Sequence, residues 1–157
     1  MEWVEDQLVE PTDGSLREEA LVPHFTTASL DILLPYFQPV NLDAGGVLFH
    51  QGDPGDEVYF VEQGEVEAQL QSANGQARRL RKSGSGTIVG EMALYSRQPR
   101  SADVVADAPC TVLKLTADRL ADLEREHPWV AIQFHRFLVA RLAARLASST
   151  EEVQALA

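Results

Sequence analysis

The sequence predicts an α+β domain: an antiparallel, jelly-roll-like β-roll with a short N-terminal helix, an internal helix and C-terminal helices. One observation is that short runs of β-branched and aromatic residues alternate with glycine-rich turns between residues 47 and 115, a pattern typical of antiparallel sandwiches and barrels. Another is that apolar residues follow helical spacing on both sides of that region. A length of 157 residues fits one domain of ordinary size.

The N-terminal part predicts a peripheral segment followed by a short helix. Residues 1–24 carry seven acidic residues and one arginine, and we expect them to form an acidic N-terminal or linker segment. Residues 25–157 form the predicted domain. Thr26 or Thr27 can cap a helix that ends near Pro35, because a threonine hydroxyl accepts a hydrogen bond from the first helical turn.

The central part predicts short strands joined by turns. Asn74-Gly75 favours a two-residue hairpin turn, because both residues tolerate positive φ. The lone cysteine, Cys110, lies in a strand-like run and is expected in the core. Seven runs have the composition of strands: Val47–His50, Val58–Val61, Val66–Leu70, Arg78–Lys82, Thr87–Val89, Val104–Val105 and Cys110–Leu115.

The C-terminal part predicts two helices. Thr116 can cap a helix over Ala117–Glu126, and Pro128 suits the first turn of a longer helix that reaches Ala147 or beyond. One face of the longer helix carries Val130, Phe134, Phe137, Leu138, Arg141 and Arg145. A second face carries Ile132, Val139, Leu142, Leu146, Val153 and Leu156 at a and d spacing, interrupted by His135 and Ser149. This second face predicts a seam that pairs two copies or docks the domain on a host protein.

The charge argues against nucleic-acid polymers as partners. A formal net charge of −11 repels phosphate backbones and anionic membranes. No apolar run is long enough to span a membrane, and the N-terminus has no signal-peptide pattern, so we expect a cytoplasmic protein with no direct membrane insertion. Residues 78–100 depart from the acidic average, with six basic residues against Glu91 alone.

The most informative stretch is residues 89–102, called the 89–102 segment below. Gly90 ends a strand, a short helix begins at Glu91, and Arg100 stands at the start of the next strand. The exposed N–H groups of a helix start suit an anion, which Arg100 can hold through charge-assisted hydrogen bonds. Glu91 can accept a hydrogen bond from a sugar hydroxyl. An acceptor for a hydroxyl beside a cation for a phosphate fits one nucleotide.

This segment resembles the phosphate-binding cassette of cyclic nucleotide-binding domains. Gly90-Glu91-Met92-Ala93-Leu94 and Arg100-Ser101-Ala102 match its motif, and the resemblance extends over roughly residues 25–147. It implies that Glu91 binds the ribose hydroxyl and Arg100 the cyclic phosphate. The implied ligand-binding residues are Gly90, Glu91, Met92, Ala93, Arg100, Ser101 and Ala102, with Arg141 and Arg145 as lid contacts from the long helix.

The resemblance implies a regulatory sensor without catalytic activity. Its ligand would be a cyclic nucleotide and no metal, with cAMP favoured over cGMP, although Ser101 is compatible with either purine. Residues 2–8 resemble the helix that ends the STAS domain of bacterial sulfate permease-type transporters. The sequence would then be part of a larger bacterial protein such as an anion transporter, with other host-protein domains as partners and a membrane-tethered location.

Several alternatives stay open at this point. Asp103 stands where the family commonly has an uncharged residue, and its carboxylate would weaken phosphate binding if it faced the site. Arg141 and Arg145 could contact the base, pair with Glu91, or lie on the roll with their heads in water. Two other functions are possible for the whole chain. One is a degenerate scaffold or dimerisation domain that binds no ligand. The other is a cupin-like metal enzyme, although the four histidines show no metal-ligand spacing.

Overall fold

The computed structural model describes the backbone of residues 25–156 and the side chains of residues 25–147. The predicted linker, residues 1–24, and the transporter-like residues 2–8 lie outside the described residues. The elements are α1 (Thr27–Leu33), a 3₁₀ turn (Leu34–Tyr36), β1 (Gln38–Leu42), β2 (Val47–Phe49), β3 (Glu57–Gln63), β4 (Glu65–Gln71), β5 (Ala77–Gly84), β6 (Ile88–Val89), α2 (Glu91–Ser96), β7 (Asp103–Ala106), β8 (Cys110–Thr116), α3 (Ala117–Glu126) and α4 (Pro128–Leu156).

The eight described strands form two four-stranded sheets of antiparallel pairs, which confirms the predicted β-roll. One sheet has the order β1-β8-β3-β6 and the other the order β2-β7-β4-β5. Side chains alternate between the faces of a strand, and β3 shows the result. Tyr59 and Val61 join the core between the sheets, where Cys110 is also buried. Val58 and Phe60 join a second core beneath the helices.

The predicted helix caps are confirmed. Thr26 accepts a hydrogen bond from the Ser29 amide at 3.1 Å, and α1 begins directly after it. Thr116 accepts one from the Arg119 amide at 3.2 Å and caps α3. Pro128 begins α4, where its missing N–H costs no helical hydrogen bond. Local hydrogen-bond chemistry therefore sets these boundaries.

Two local features differ from the sequence-based expectation. Strand β1 was not among the predicted strands, and it contains Pro39, which cannot donate to a ladder. It is tolerated here because β1 is an edge strand, bonded to β8 alone. The Asn74-Gly75 turn is also different: only Gly75 has a positive φ, and the Ser72 amide bonds the Gln76 carbonyl in a longer loop.

Helix α4 lies with its predicted apolar face on the roll. Phe134 and Leu138 are fully buried, and Arg141 on the same face is 4% exposed. On the second predicted face, Ile132, Val139 and Leu146 are exposed by 41%, 53% and 70%. Leu142 is half-buried, and the side chains of Val153 and Leu156 lie outside the described residues. Within the part of the chain described, no helix is long and apolar enough to cross a membrane.

Candidate ligand-binding site

The short helix α2 follows β6 at Gly90, as predicted, but Arg100 does not start the next strand: it lies in the loop before β7, which begins at Asp103. Gly90 follows β6 with φ of +82° and caps α2, a backbone conformation that glycine adopts without a steric penalty. A side chain at Gly90 would also collide with Arg100, since an ideal Cβ would lie 2.7 Å from Arg100 Nη1. Helix α2 ends at Ser96 and is capped by Arg97, whose own φ is +57°. The two turns bring Glu91 and Arg100 back to the same end of the roll.

Arg100 is held by main-chain carbonyls. Its Nη1 donates to the Gly90 carbonyl at 2.8 Å and its Nη2 to the Glu57 carbonyl at 2.7 Å, while the guanidinium lies 4.0 Å from the centre of the Phe49 ring. The side chain is 5% exposed, and among the described residues its Nε has no hydrogen-bond partner. Burial lowers the pKa of this guanidinium. Arg100 is thus fixed in place, with its buried Nε–H making no hydrogen bond within the described part of the chain.

The main chain of Arg100 is fixed as well. Its amide donates to the Asp53 carbonyl, and its carbonyl accepts from the Gly52 amide, both at 2.8 Å. The loop between β2 and β3 and the end of the 89–102 segment therefore form one hydrogen-bonded unit.

Glu91 is completely buried at the start of α2. Its Oε1 lies 2.7 Å from Arg145 Nη1 and 3.4 Å from Arg141 Nη2. Its Oε2 is buried and accepts no hydrogen bond from the described residues. Burial raises the pKa of Glu91, and the charge of Arg141 opposes that rise. Burial also lowers the pKa of Arg145 to about 10, so this side chain stays protonated at neutral pH.

The other residues of the predicted site have mixed exposure. Ala93 and Ala102 are buried, Met92 is half exposed, and Ser101 lies on the surface. Asp103 faces away from Arg100: its Oδ1 accepts from the Gln51 amide at 2.6 Å, and its Oδ2 from Gln71 Nε2 at 3.4 Å. Its carboxylate is therefore occupied elsewhere.

Sequence reasoning missed the residues that hold Arg100. The Glu57 carbonyl belongs to the main chain and leaves no signal in the residue type. Phe49 and Gly55 were visible only as part of a strand and a turn. An ideal Cβ at Gly55 would lie 2.4 Å from Ala93 Cβ and 3.0 Å from Arg100 Nε, so Gly55 leaves the space that both neighbours need.

Helix α4 also contacts α2 outside the Glu91 pair. The Tyr95 hydroxyl and His135 Nδ1 are 2.7 Å apart, and His135 Nε2 lies 3.3 Å from a Glu124 carboxylate oxygen on α3. Burial raises the pKa of Tyr95 to about 12. One imidazole thus joins the three helices α2, α3 and α4.

Two other features bear on ligands. A cavity of about 570 Å³ opens between the loop at Gly55, helix α2 and the start of α3, and neither Glu91 nor Arg100 lines it. Among the described residues, no three histidine, cysteine or carboxylate side chains are grouped as metal ligands.

A helix-closed β-roll with a buried donor and a buried acceptor near the start and end of one segment is an arrangement that suits a small polar ligand. Residues 39–127 match the family described as the cyclic nucleotide-binding domain, and the chain belongs to that family. The family is a regulatory ligand-binding domain.

Relatives and solved structures agree with this assignment. The chain is 34% identical to a Bradyrhizobium diazoefficiens protein named Glutaminase 2 over 99% of its own length, but spans only 26% of that protein. It is 36% identical to the Thermus thermophilus Cyclic AMP receptor protein over 81% of its length, spanning 57% of that protein. A Methylobacillus flagellatus cyclic nucleotide-binding domain superposes with a TM-score of 0.75 at 28% identity, covering 85% of this chain and 75% of that one.

Proposed function

We propose that this domain is a regulatory sensor that binds a cyclic 3′,5′-nucleotide at the 89–102 segment. The observation that carries the proposal is that the acceptor Glu91 Oε2 and the donor Arg100 Nε are among the buried polar atoms that make no hydrogen bond with the described residues. Each buried, unsatisfied polar group costs about 1–3 kcal/mol. A cyclic nucleotide offers the ribose 2′-hydroxyl to the acceptor and an anionic phosphate oxygen to the donor, and so relieves both costs.

The remaining residues of the segment would complete the phosphate site. In this proposal the main chain at Gly90 and Ala93 and the hydroxyl and amide of Ser101 lie against the phosphate, while Met92 and Ala102 border the ligand. Gly55 would matter indirectly, because it leaves room for Arg100 Nε.

Helix α4 would carry the signal. The carboxylate proposed to receive the ribose also contacts Arg141 and Arg145 of α4, so ligand binding at Glu91 changes the environment of that helix. A ligand shifts the position of α4 only as far as its affinity differs between the two positions. The proposal therefore requires ligand affinity and α4 position to be linked.

The regulated partner would be a larger protein that contains or contacts residues 25–157. Residues 1–24 would link this domain to the rest of that host, in the cytoplasm. The comparisons lend no support to a sulfate transporter as host. The relative named Glutaminase 2 aligns with almost the whole chain, and we include an attached enzyme among the candidate hosts.

Calorimetric titration with cAMP and cGMP tests the proposal. Wild type should release or absorb heat with at least one of them, and Glu91→Gln and Arg100→Lys should each weaken that binding at least tenfold, because a buried hydrogen bond to a charged group contributes about 1.5–3 kcal/mol. Arg78→Gln is the matched control: it removes one positive charge from an exposed position on β5 and should bind as wild type does. Absence of binding by folded wild type would refute the sensor.

The exposed face of α4 favours a second role, in assembly. Ile132, Val139 and Leu146 are exposed and recur every seven residues, which is the spacing of a two-stranded coiled coil. We propose that this face pairs two copies. Light scattering should give a dimer mass for wild type and a monomer mass for Val139→Glu. A dimer that binds neither nucleotide would favour a scaffold over a sensor.

A further inference from the structure

The two oxygens of the Glu91 carboxylate have different surroundings. Arg145 and Arg141 form ion-pair contacts with the same oxygen, Oε1, at 2.7 and 3.4 Å, and neither Oε1 nor Oε2 accepts a hydrogen bond from the described residues. A ribose hydroxyl at Oε2 and the arginines at Oε1 can therefore be present together. Arg141 and Arg145 need not leave Glu91 when a ligand enters, and both arginines would then lie beside the bound ligand.

The covalent structure of a cyclic nucleotide would place its base on the side of the site where Arg141 and Arg145 lie. In a cyclic 3′,5′-nucleotide the phosphate bridges C3′ and C5′, and the base leaves C1′, the carbon next to the one that carries the 2′-hydroxyl. Arg100 would hold the phosphate and Glu91 the 2′-hydroxyl. The base then projects from the Glu91 side of the sugar, where the two α4 side chains lie.

The two arginines differ in burial, and this separates their roles. Arg141 has a side chain that is 3% exposed and lies 5.9 Å from the centre of the Phe137 ring. Arg145 lies one helical turn further along α4, contacts Glu91 more closely, and has a side chain that is 23% exposed. Arg141 is a positioning residue inside the fold, and Arg145 stands where the site meets solvent and an entering base.

An arginine beside the base presents hydrogen-bond donors only. Guanine offers two adjacent acceptors on one edge, N7 and O6, and arginine binds this pair through two parallel hydrogen bonds. Adenine offers N7 but replaces the second acceptor with an amino group, which is itself a donor. Glu91 Oε1, the acceptor that lies beside Arg145, already contacts both arginines.

We propose that Arg145 selects a 6-oxopurine, so that the site prefers a guanine cyclic nucleotide to an adenine one. This inference rests on the proposed function, and it reverses the sequence-based preference for cAMP. A good two-bond contact discriminates roughly 5-fold to 150-fold against the wrong base.

Competing titrations with cGMP, cIMP and cAMP test the inference. cIMP shares N7 and O6 with cGMP and lacks only the 2-amino group, so it isolates the edge that Arg145 reads. Wild type should bind cGMP and cIMP within about threefold of each other, and both at least about fivefold more tightly than cAMP. Arg145→Gln should weaken cGMP and cIMP relative to cAMP by a similar factor and so remove the preference, because glutamine offers both a donor and an acceptor and can pair with adenine N6 and N7.

Arg136→Gln is the matched control, since Arg136 is an exposed arginine on the same helix and should leave all three affinities unchanged. Thermal melting monitored by circular dichroism shows that each variant is folded. If cAMP binds as tightly as cGMP, or if the preference survives in Arg145→Gln, the base assignment is wrong while the sensor stands. If none of the three nucleotides binds folded wild type, both the sensor and the base assignment are refuted.

Discussion

Substituting Gly55 by alanine tests how the fold prepares Arg100. The new Cβ would lie 2.4 Å from Ala93 Cβ, 3.0 Å from Arg100 Nε and 3.1 Å from Arg100 Cδ. Carbon atoms in contact normally stand about 3.5–4.0 Å apart, so α2 or the loop at Gly55 must move by about 1 Å. Overpacking of this kind costs about 1–3 kcal/mol.

Both stability and ligand binding should respond. For a domain of this size each kcal/mol lowers Tm by about 2–4 °C, so the Tm of Gly55→Ala should fall by roughly 2–12 °C. Displacement of Arg100 Nε should also weaken nucleotide binding by about tenfold to a hundredfold, the value of one charged hydrogen bond. Scanning calorimetry and calorimetric titration measure the two effects on the same preparation.

Gly84→Ala is the control for this prediction. Its Cβ would meet only Glu65 Oε2, at 3.8 Å, and Gly84 has no positive φ. An alanine there removes freedom from the unfolded chain without a clash, so Tm should stay the same or rise slightly. If Gly55→Ala matched Gly84→Ala in both Tm and affinity, the close packing of Gly55 against Arg100 would have no role in the site.

Three further outcomes are expected. All three tyrosines of the chain have a raised pKa, Tyr36 through its hydrogen bond to Glu126 and Tyr59 and Tyr95 through burial. Their contribution to stability is therefore present below pH 10 and is lost as the pH rises through the pKa values of the folded protein. Ultraviolet titration at about pH 10.5 should show less tyrosinate in the folded than in the denatured protein. Thr116→Ala removes the cap of α3 and should lower stability by about 1 kcal/mol in urea unfolding, whereas Thr116→Ser should retain it. Nucleotide affinity should change little between low and moderate salt, because the Arg100 contact is buried while the acidic surface is screened, and a steep loss in a salt series would show that surface charge drives binding.

The sequence predicted those elements whose boundaries depend on nearby residues. Thr26, Thr116 and Pro128 act on the first turn of their own helix, and each helix starts where these residues predict. Strand β1 is different, because Pro39 argues against a strand unless its edge position is known, and that position depends on distant pairing with β8. Gly75 keeps its predicted positive φ, but the ladder around it selects a longer loop than a two-residue turn.

The residues of the candidate site also fall into those that the sequence could predict and those that it could not. Glu91 and Arg100 stand out in sequence because their spacing and residue types carry the chemistry. The carbonyls of Gly90 and Glu57 that hold Arg100 belong to the main chain, and every residue has such a carbonyl. The pairing of Glu91 with Arg141 and Arg145 was one of several open possibilities, since helical spacing places these arginines on the roll without fixing what they contact.

The hydrogen bonds of Arg100 determine whether the free-energy cost of burying and ordering its side chain falls on folding or on ligand binding. Nη1 and Nη2 are already bonded to carbonyls and the side chain is already out of water, so the loss of hydration and of rotamer freedom takes place when the chain folds. A ligand that arrives later meets a guanidinium that needs no further ordering, which favours affinity. The unliganded fold bears that cost in full. An apolar residue of similar size at position 100 would remove the cost of burying the charge, but it would leave the Gly90 and Glu57 carbonyls without their donor. In the proposed site, the preparation of the arginine for an anion is therefore a cost of folding and not of ligand binding.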